Sequence, residues 1–174
     1  MVLLLVNDDD SVVMVFCGTD SFTNALTDVQ FIREPIFEGQ PYLAHTGFLD
    51  AFKKVYKSIS AHVKPFIGKK KIYTAGHSLG GALASLLALC ISHKYENVKL
   101  IHRCPPVGNT TLSQYFKEMH SHIITIQNNP VKTGRLINLM ATYGLFQPHQ
   151  VMFLPAVGGH SILEYIKQLE NLSK

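Results

Sequence analysis

Apolar and polar positions along the chain change their period several times. Val2 to Val6 and Ser11 to Phe16 are β-branched, apolar runs separated by Asn7-Asp8-Asp9-Asp10, which predicts a β-hairpin with a polar turn. Phe22, Ala25, Leu26 and Val29 recur at helical spacing and predict a short amphipathic helix over 22–31. Pro35, Gly39 and Pro41 mark residues 32–44 as an irregular connection. From Gly47 the pattern is clean. Phe48, Phe52, Val55, Ile59 and Val63 share one helical face, and Lys53, Lys54, Lys57 and Ser58 take the other. Pro65 and Gly68 end that helix. An apolar strand, Ile72 to Ala75, runs into Gly76-His77-Ser78-Leu79-Gly80 and then a small-residue helical run reaching about His93. Val98 to His102 reads as a strand, Thr110 or Thr111 as the cap of a helix ending at Met119, and Ile123 to Ile126 as a further strand. Gln150 to Leu154 reads as the last strand, and Ile162, Leu163, Ile166 and Leu169 as the stripe of a final helix.

Strands alternating with helices predict an α/β fold. The expected architecture is one domain over 1–174, with a central, mostly parallel sheet, helices on both faces and an N-terminal β-hairpin.

Composition narrows the function classes. The chain has 174 residues, 47% apolar and 16% charged, enough for a normal core and far from disorder. Net charge is +4, and Lys69-Lys70-Lys71 is its one tight cluster, which reads as a solvated loop. There is no basic stripe interleaved with stacking aromatics, so nucleic acid is not an expected partner. Cys17, Cys90 and Cys104 lie in apolar settings without metal-ligand spacing, which predicts free thiols and a reducing compartment. Met1 to Val6 lacks a basic leader and is too short for a signal peptide, and no apolar run is long enough to span a bilayer. An intracellular setting is therefore favoured.

The chemistry concentrates at Gly76-His77-Ser78-Leu79-Gly80. Strand, Gly-x-Ser-x-Gly turn and helix in that order form a nucleophile elbow, which lifts the serine hydroxyl clear of its own backbone. The helix that begins at Leu79 aims free N–H groups and a positive dipole end at the place where an oxyanion would form. The alternative is a tight turn whose serine only caps the helix. Cys17-Gly18-Thr19-Asp20-Ser21, at the end of a core strand, would make an anion corner, or a turn that caps the next helix.

Several separated segments resemble one family, the class 3 (fungal triacylglycerol-type) lipases of the α/β-hydrolase fold. Phe16-Cys17-Gly18-Thr19 resembles the family's Phe-Arg-Gly-Thr/Ser oxyanion turn, with cysteine for arginine. Ser21 to Asp28 resembles its lid segment, His45-Thr46-Gly47-Phe48-Leu49-Asp50 its helix entry, and Pro106-Val107-Gly108-Asn109 its Pro-x-Val-Gly-Asn loop. Gly76 to Ala84 matches its elbow, and His160 with Tyr165 resembles the segment of its catalytic histidine. The resemblance implies a serine ester hydrolase acting on lipid acyl esters. Ser78 would be the nucleophile and His160 the general base. Thr19 and Leu79 would give the oxyanion-hole N–H groups, with the Thr19 hydroxyl as a further donor. A lid over about 21–30 would hide an apolar acyl groove until a lipid surface is met. No metal or organic cofactor is implied, and a membrane or lipid-droplet surface is an expected peripheral contact.

His160 is preferred among nine histidines because the nucleophile comes first and the histidine last in this fold. His149 is the second choice, and His77 is expected to pack beside the elbow. One departure matters. Where the family carries Asp-x-Val, this chain reads Asn129-Pro130-Val131, and no aspartate follows Asp50. Three readings stay open: Asn129 orients His160 in a slower hydrolase, Glu164 substitutes as the acid, or the chain is an inactive lipid-binding protein on the same scaffold. An amide can hold the ring but not stabilise the imidazolium, and aspartate-to-asparagine in a serine triad costs about 10⁴ in kcat.

Overall fold

The computed structural model describes residues 1–18, 32–93, 95, 98–103, 107–118, 123–128 and 151–154. The two apolar runs at the start form the expected hairpin: β1 (Val2–Val6) pairs antiparallel with β2 (Ser11–Phe16). Its polar turn is closed by Asn7 Nδ2 donating to Ser11 Oγ at 3.0 Å, with Asp10 at φ 64°. Lys70 lies 3.3 Å from Asp10 in a partly exposed ion pair, so one of the three basic residues at 69–71 sits against the hairpin turn.

β2 continues into a parallel array with β5 (Lys71–His77), β6 (Val98–Arg103), β7 (Ile123–Asn128) and β8 (Val151–Leu154). The order across this six-stranded sheet is β1-β2-β5-β6-β7-β8. Only β1 runs against the others, so the carboxyl ends of the five parallel strands lie along one edge.

Two helices bracket the core in sequence. α1 (Thr46–Val63) buries Phe48, Phe52, Ile59 and Val63 of the predicted face and Leu49 beside them, while Val55 is half-buried. It gives way to a 3-10 turn over Lys64–Phe66, with Pro65 in its first turn. α2 (Leu79–Ser92) is apolar all round and accordingly buried, from Gly80 through Leu89. It lies against β2, β5 and β6, and α1 packs beside it. Thr74 Oγ1 ties β5 to α2 by donating to the Ala84 carbonyl at 3.1 Å. Leu86, Leu87 and Leu89, with Phe16, Met14 and Phe48, are the fully buried centre.

Two local expectations change. The connection over 32–44 is not irregular throughout: β3 (Arg33–Pro35) and β4 (Leu43–His45) form a small antiparallel sheet. Each strand has three residues, too few for an alternation to register. Their pairing is fixed from outside, because His45 N–H donates to the Val107 carbonyl at 3.0 Å and Asn109 N–H to the Leu43 carbonyl at 3.0 Å. The helix α3 (Thr110–Glu118) begins where expected, but its cap is Asn109 rather than Thr110 or Thr111. Asn109 Oδ1 accepts from Leu112 N–H at 3.1 Å and from Leu43 N–H at 3.2 Å, while Nδ2 donates to the Pro41 carbonyl at 2.9 Å. One amide thus caps α3 and anchors β4. The predicted helices over 22–31 and 162–169 lie outside the described residues.

Candidate active site

The site grows out of steric constraints at the carboxyl edge of β5. A Cβ at Gly76 would run into the Gly80 backbone, and one at Gly80 into the Phe16 carbonyl. Glycine at both positions lets β5, the start of α2 and the end of β2 pack backbone against backbone. The residue between them carries the bend: Ser78 stands at φ 57°, ψ −127°, a conformation that side-chain-bearing residues seldom adopt. Its carbonyl accepts from Gly81 N–H at 3.0 Å and Ala82 N–H at 3.3 Å, so the bend and the first helical turn are one unit.

Ser78 is 3% exposed, and its side chain makes no capping hydrogen bond to α2. A serine present only to cap its helix would spend its oxygen on the N–H groups of the first turn. That alternative does not describe Ser78. Leu79 is the first residue of α2, and its N–H is among the groups a helix leaves without an internal partner.

The turn after β2 comes up against this corner. An ideal Cβ on Gly18 would lie 3.4 Å from Ser78 Cβ and 2.6 Å from the His77 carbonyl oxygen. The structure therefore sets Gly18 beside the nucleophile candidate, and the next residue in the chain is Thr19. Thr19 itself lies outside the described residues, as do Asn129, His160, His149, Glu164 and the 21–30 segment. The described strands fix where their segments depart. β7 ends at Asn128, immediately before Asn129, and β8 ends at Leu154, six positions before His160. Both are parallel to β5 and leave the sheet at the edge where Ser78 stands. β7 is two strands from β5, a lateral offset of about 10 Å.

His45 was read from the sequence only as part of a motif. It is 1% exposed and caps α1: its Nδ1 accepts from Gly47 N–H at 3.1 Å. Burial pushes its pKa below the ordinary 6.5, and an accepting Nδ1 requires the neutral ring with its proton on Nε2. The sequence signal for that role is a polar residue just before a helical run, weak for histidine. Cys17 and Cys90 are free thiols. Desolvation raises the Cys90 thiol to about 12, which keeps it protonated and unreactive. Cys104 lies outside the described residues. Among the described residues no group of three or more His, Cys, Asp or Glu could hold a metal ion, and no helix is long and apolar enough to cross a membrane.

Comparison with known proteins bears on this geometry. The family Lipase (class 3) matches residues 13–131, a stretch that holds both Gly18 and the Ser78 corner. Secreted mono- and diacylglycerol lipase A of Penicillium cyclopium is 30% identical over 137 residues, covering 75% of this chain and 45% of the fungal protein. Diacylglycerol lipase-beta of Mus musculus is 28% identical over 122 residues, covering 66% of this chain and 18% of the mouse protein. The crystal structure of a mutant form of the MDLA protein from Penicillium cyclopium superposes with a TM-score of 0.77 at 22% identity. It covers 93% of this chain and 62% of that one, which shows the shared α/β-hydrolase fold. The chain spans about half the length of the fungal relative it matches.

Proposed function

We propose that this chain, which belongs to the class 3 lipase family, hydrolyses lipid acyl esters through an acyl-enzyme on Ser78. The observation that carries this reading is the strained Ser78 corner, free of any capping duty, with Gly18 packed against it. In this mechanism His160 takes the Ser78 proton as the oxygen attacks the ester carbonyl carbon. The N–H groups of Thr19 and Leu79 hold the oxyanion of the tetrahedral intermediate, with the Thr19 hydroxyl assisting. The intermediate collapses, the alcohol leaves with the proton returned from His160, and water then cleaves the acyl-enzyme by the same route. Asn129 orients His160 by accepting from Nδ1–H, which gives a slower enzyme than one with aspartate there. The 21–30 segment acts as a lid over an apolar groove that opens at a lipid surface. The names of the relatives, mono- and diacylglycerol lipases, support acylglycerols as the substrate class.

Labelling with a fluorophosphonate serine probe tests the reading. The wild type should label and should hydrolyse monoacyl- and diacylglycerols, and Ser78→Ala should do neither while keeping its fold. The amide at position 129 favours a second reading, an inactive lipid-binding protein on the same scaffold. A folded wild type that never labels, with or without a lipid interface, decides for the second.

A further inference from the structure

At the far side of the sheet from β8, the outer edge of β1 has no strand beside it among the described residues. Native edge strands are commonly blunted by charge, proline or a bulge. β1 reads Val2-Leu3-Leu4-Leu5-Val6 and has none of these. Val2 and Leu4 pack against the core, while Leu3 and Leu5 on the opposite face are 46% and 51% exposed.

The hydrogen-bond phase of the hairpin fixes which backbone groups of β1 face outward. Cys17 N–H donates to the Met1 carbonyl at 3.0 Å, and Asn7 N–H donates to the Ser11 carbonyl at 2.9 Å. In the register Val2↔Phe16 to Val6↔Val12, the odd positions therefore exchange hydrogen bonds with β2. The N–H and C=O groups of Val2, Leu4 and Val6 point away from the sheet.

We propose that β1 pairs antiparallel with β1 of a second copy of this chain, about a two-fold axis at Leu4, to make one continuous sheet. With Leu4 opposite Leu4, Val2 of each copy faces Val6 of the other. All three outward N–H groups and all three outward carbonyls per copy then find partners. The same register sets Leu3 of one copy directly opposite Leu5 of the other in a close, non-hydrogen-bonded pair, which buries the exposed leucines against each other. One register thus satisfies the backbone and covers the apolar face together.

Charge selects the direction. A parallel partner would stack the two Asp8-Asp9-Asp10 turns about 5 Å apart. The antiparallel partner separates them by the length of the strand, roughly 20 Å and well beyond the Debye length of about 8 Å. The contact is isologous, so it closes at two copies and leaves the β8 edge unused. One strand a side is far less than the roughly 20–30 residues a side of a standard interface, so the dimer is weak and concentration-dependent. The inference does not depend on the hydrolase reading, because β1 lies outside the Ser78 corner.

Sedimentation velocity on the full chain, from micromolar to near-millimolar concentration, tests it. The mass should rise toward that of two chains. Val6→Pro removes one outward N–H without touching a hairpin hydrogen bond, and it should shift the curve toward monomer. Leu3→Lys with Leu5→Lys puts like charges opposite each other and should abolish association. Mixing that chain with one carrying Leu3→Glu and Leu5→Glu should restore it as a heterodimer, because the register pairs position 3 with position 5. Circular dichroism confirms that each variant is folded. A wild type that stays monomeric throughout overturns the proposal, including one that sediments with phosphatidylcholine vesicles instead. So does a dimer indifferent to both Val6→Pro and the lysine pair.

Discussion

Gly18→Ala is a small change aimed at the junction between the β2 turn and the Ser78 corner. The backbone of Gly18 suits any residue, so the effect is steric. The added methyl would start 2.6 Å from the His77 carbonyl oxygen, where real Cβ contacts lie at 3.0 Å or more and ordinarily beyond 3.4 Å. The two segments must therefore separate by 0.4 Å (3.0 less 2.6) to become tolerable and by 0.8 Å (3.4 less 2.6) to become relaxed. The atom that must yield belongs to the residue preceding Ser78, so the displacement passes into the nucleophile itself or into the turn leading to Thr19. Overpacking of this kind costs about 1–3 kcal/mol of stability. Reacting constellations tolerate about 0.5 Å, and a misplacement of about 1 Å costs about 10²-fold. The expected outcome is a fall of about 10- to 100-fold in kcat/KM on a soluble short-chain ester, in a protein that still unfolds cooperatively in urea. Gly39→Ala is the control. Gly39 has φ 72° and nothing within 4 Å of an added Cβ, so it should lose about 1 kcal/mol and keep its activity. A folded Gly18→Ala protein with wild-type turnover would refute the claim that this turn serves the site of Ser78.

Three further outcomes follow from particular residues. Asn129→Asp should raise ester hydrolysis and move the acid limb of its pH profile; if the variant is no faster, Asn129 is not the third member of the triad. Asn109→Ala removes the acceptor of two backbone N–H groups and the donor to Pro41, and should cost about 2–3 kcal/mol in urea unfolding, whereas Thr110→Ala and Thr111→Ala should each stay within about 0.5 kcal/mol. His45 should make stability fall with acid: its folded pKa is below the unfolded 6.5, so the unfolded chain binds the proton first and stability, full above that value, declines as pH drops through it. Urea midpoints measured between pH 7.5 and about pH 5.5 should show a shallower fall for His45→Asn, which keeps a capping side chain but cannot titrate; equal slopes would count against His45 as the cause.

What could be read from the sequence separates cleanly by the range of the forces involved. The elbow was legible because its five-residue motif is constrained largely by the turn itself, Gly76 against the Gly80 backbone, although Gly80 also clears the Phe16 carbonyl of the adjacent strand. The hairpin was legible because a polar turn, Asn7 to Asp10, parts two apolar runs, and α1 because burial imposes a period on its positions, as Phe48, Phe52, Ile59 and Val63 show. The small sheet of β3 and β4 was not, because three-residue strands carry no period and their partner, Val107 to Asn109, lies more than sixty positions away. For the same reason two plausible threonine caps were preferred to Asn109. Its oxygen is shared between Leu112, three residues ahead, and Leu43 at the other end of that long connection, and only the second contact explains why asparagine serves here.

The same distinction orders the site. A local motif supplies a nucleophile candidate, but the partners of a serine must come from elsewhere in the chain, and the strand exits of the parallel sheet are where the proposed partners leave it. With β2, β5, β7 and β8 all pointing one way, each chain exit after Phe16, His77, Asn128 and Leu154 falls on the same edge. Thr19, Asn129 and His160 each follow one of those exits. A residue leaving the sheet at the opposite ends of these strands would have to return the length of a strand to reach Ser78. Lys69 and Lys70 illustrate the exclusion: they precede β5, at its amino end, and Lys70 is held to Asp10 of the hairpin turn. The cluster therefore lies a full strand away from Ser78, about 23 Å for seven residues. That is nearly three Debye lengths of about 8 Å, so its charge neither tunes the serine nor steers a substrate to it at physiological salt. In the proposed mechanism, electrostatic help for Ser78 comes from the α2 amino end and from groups at the carboxyl edge, so the proposal makes the identity of residue 129 weigh more on turnover than the net charge of the chain.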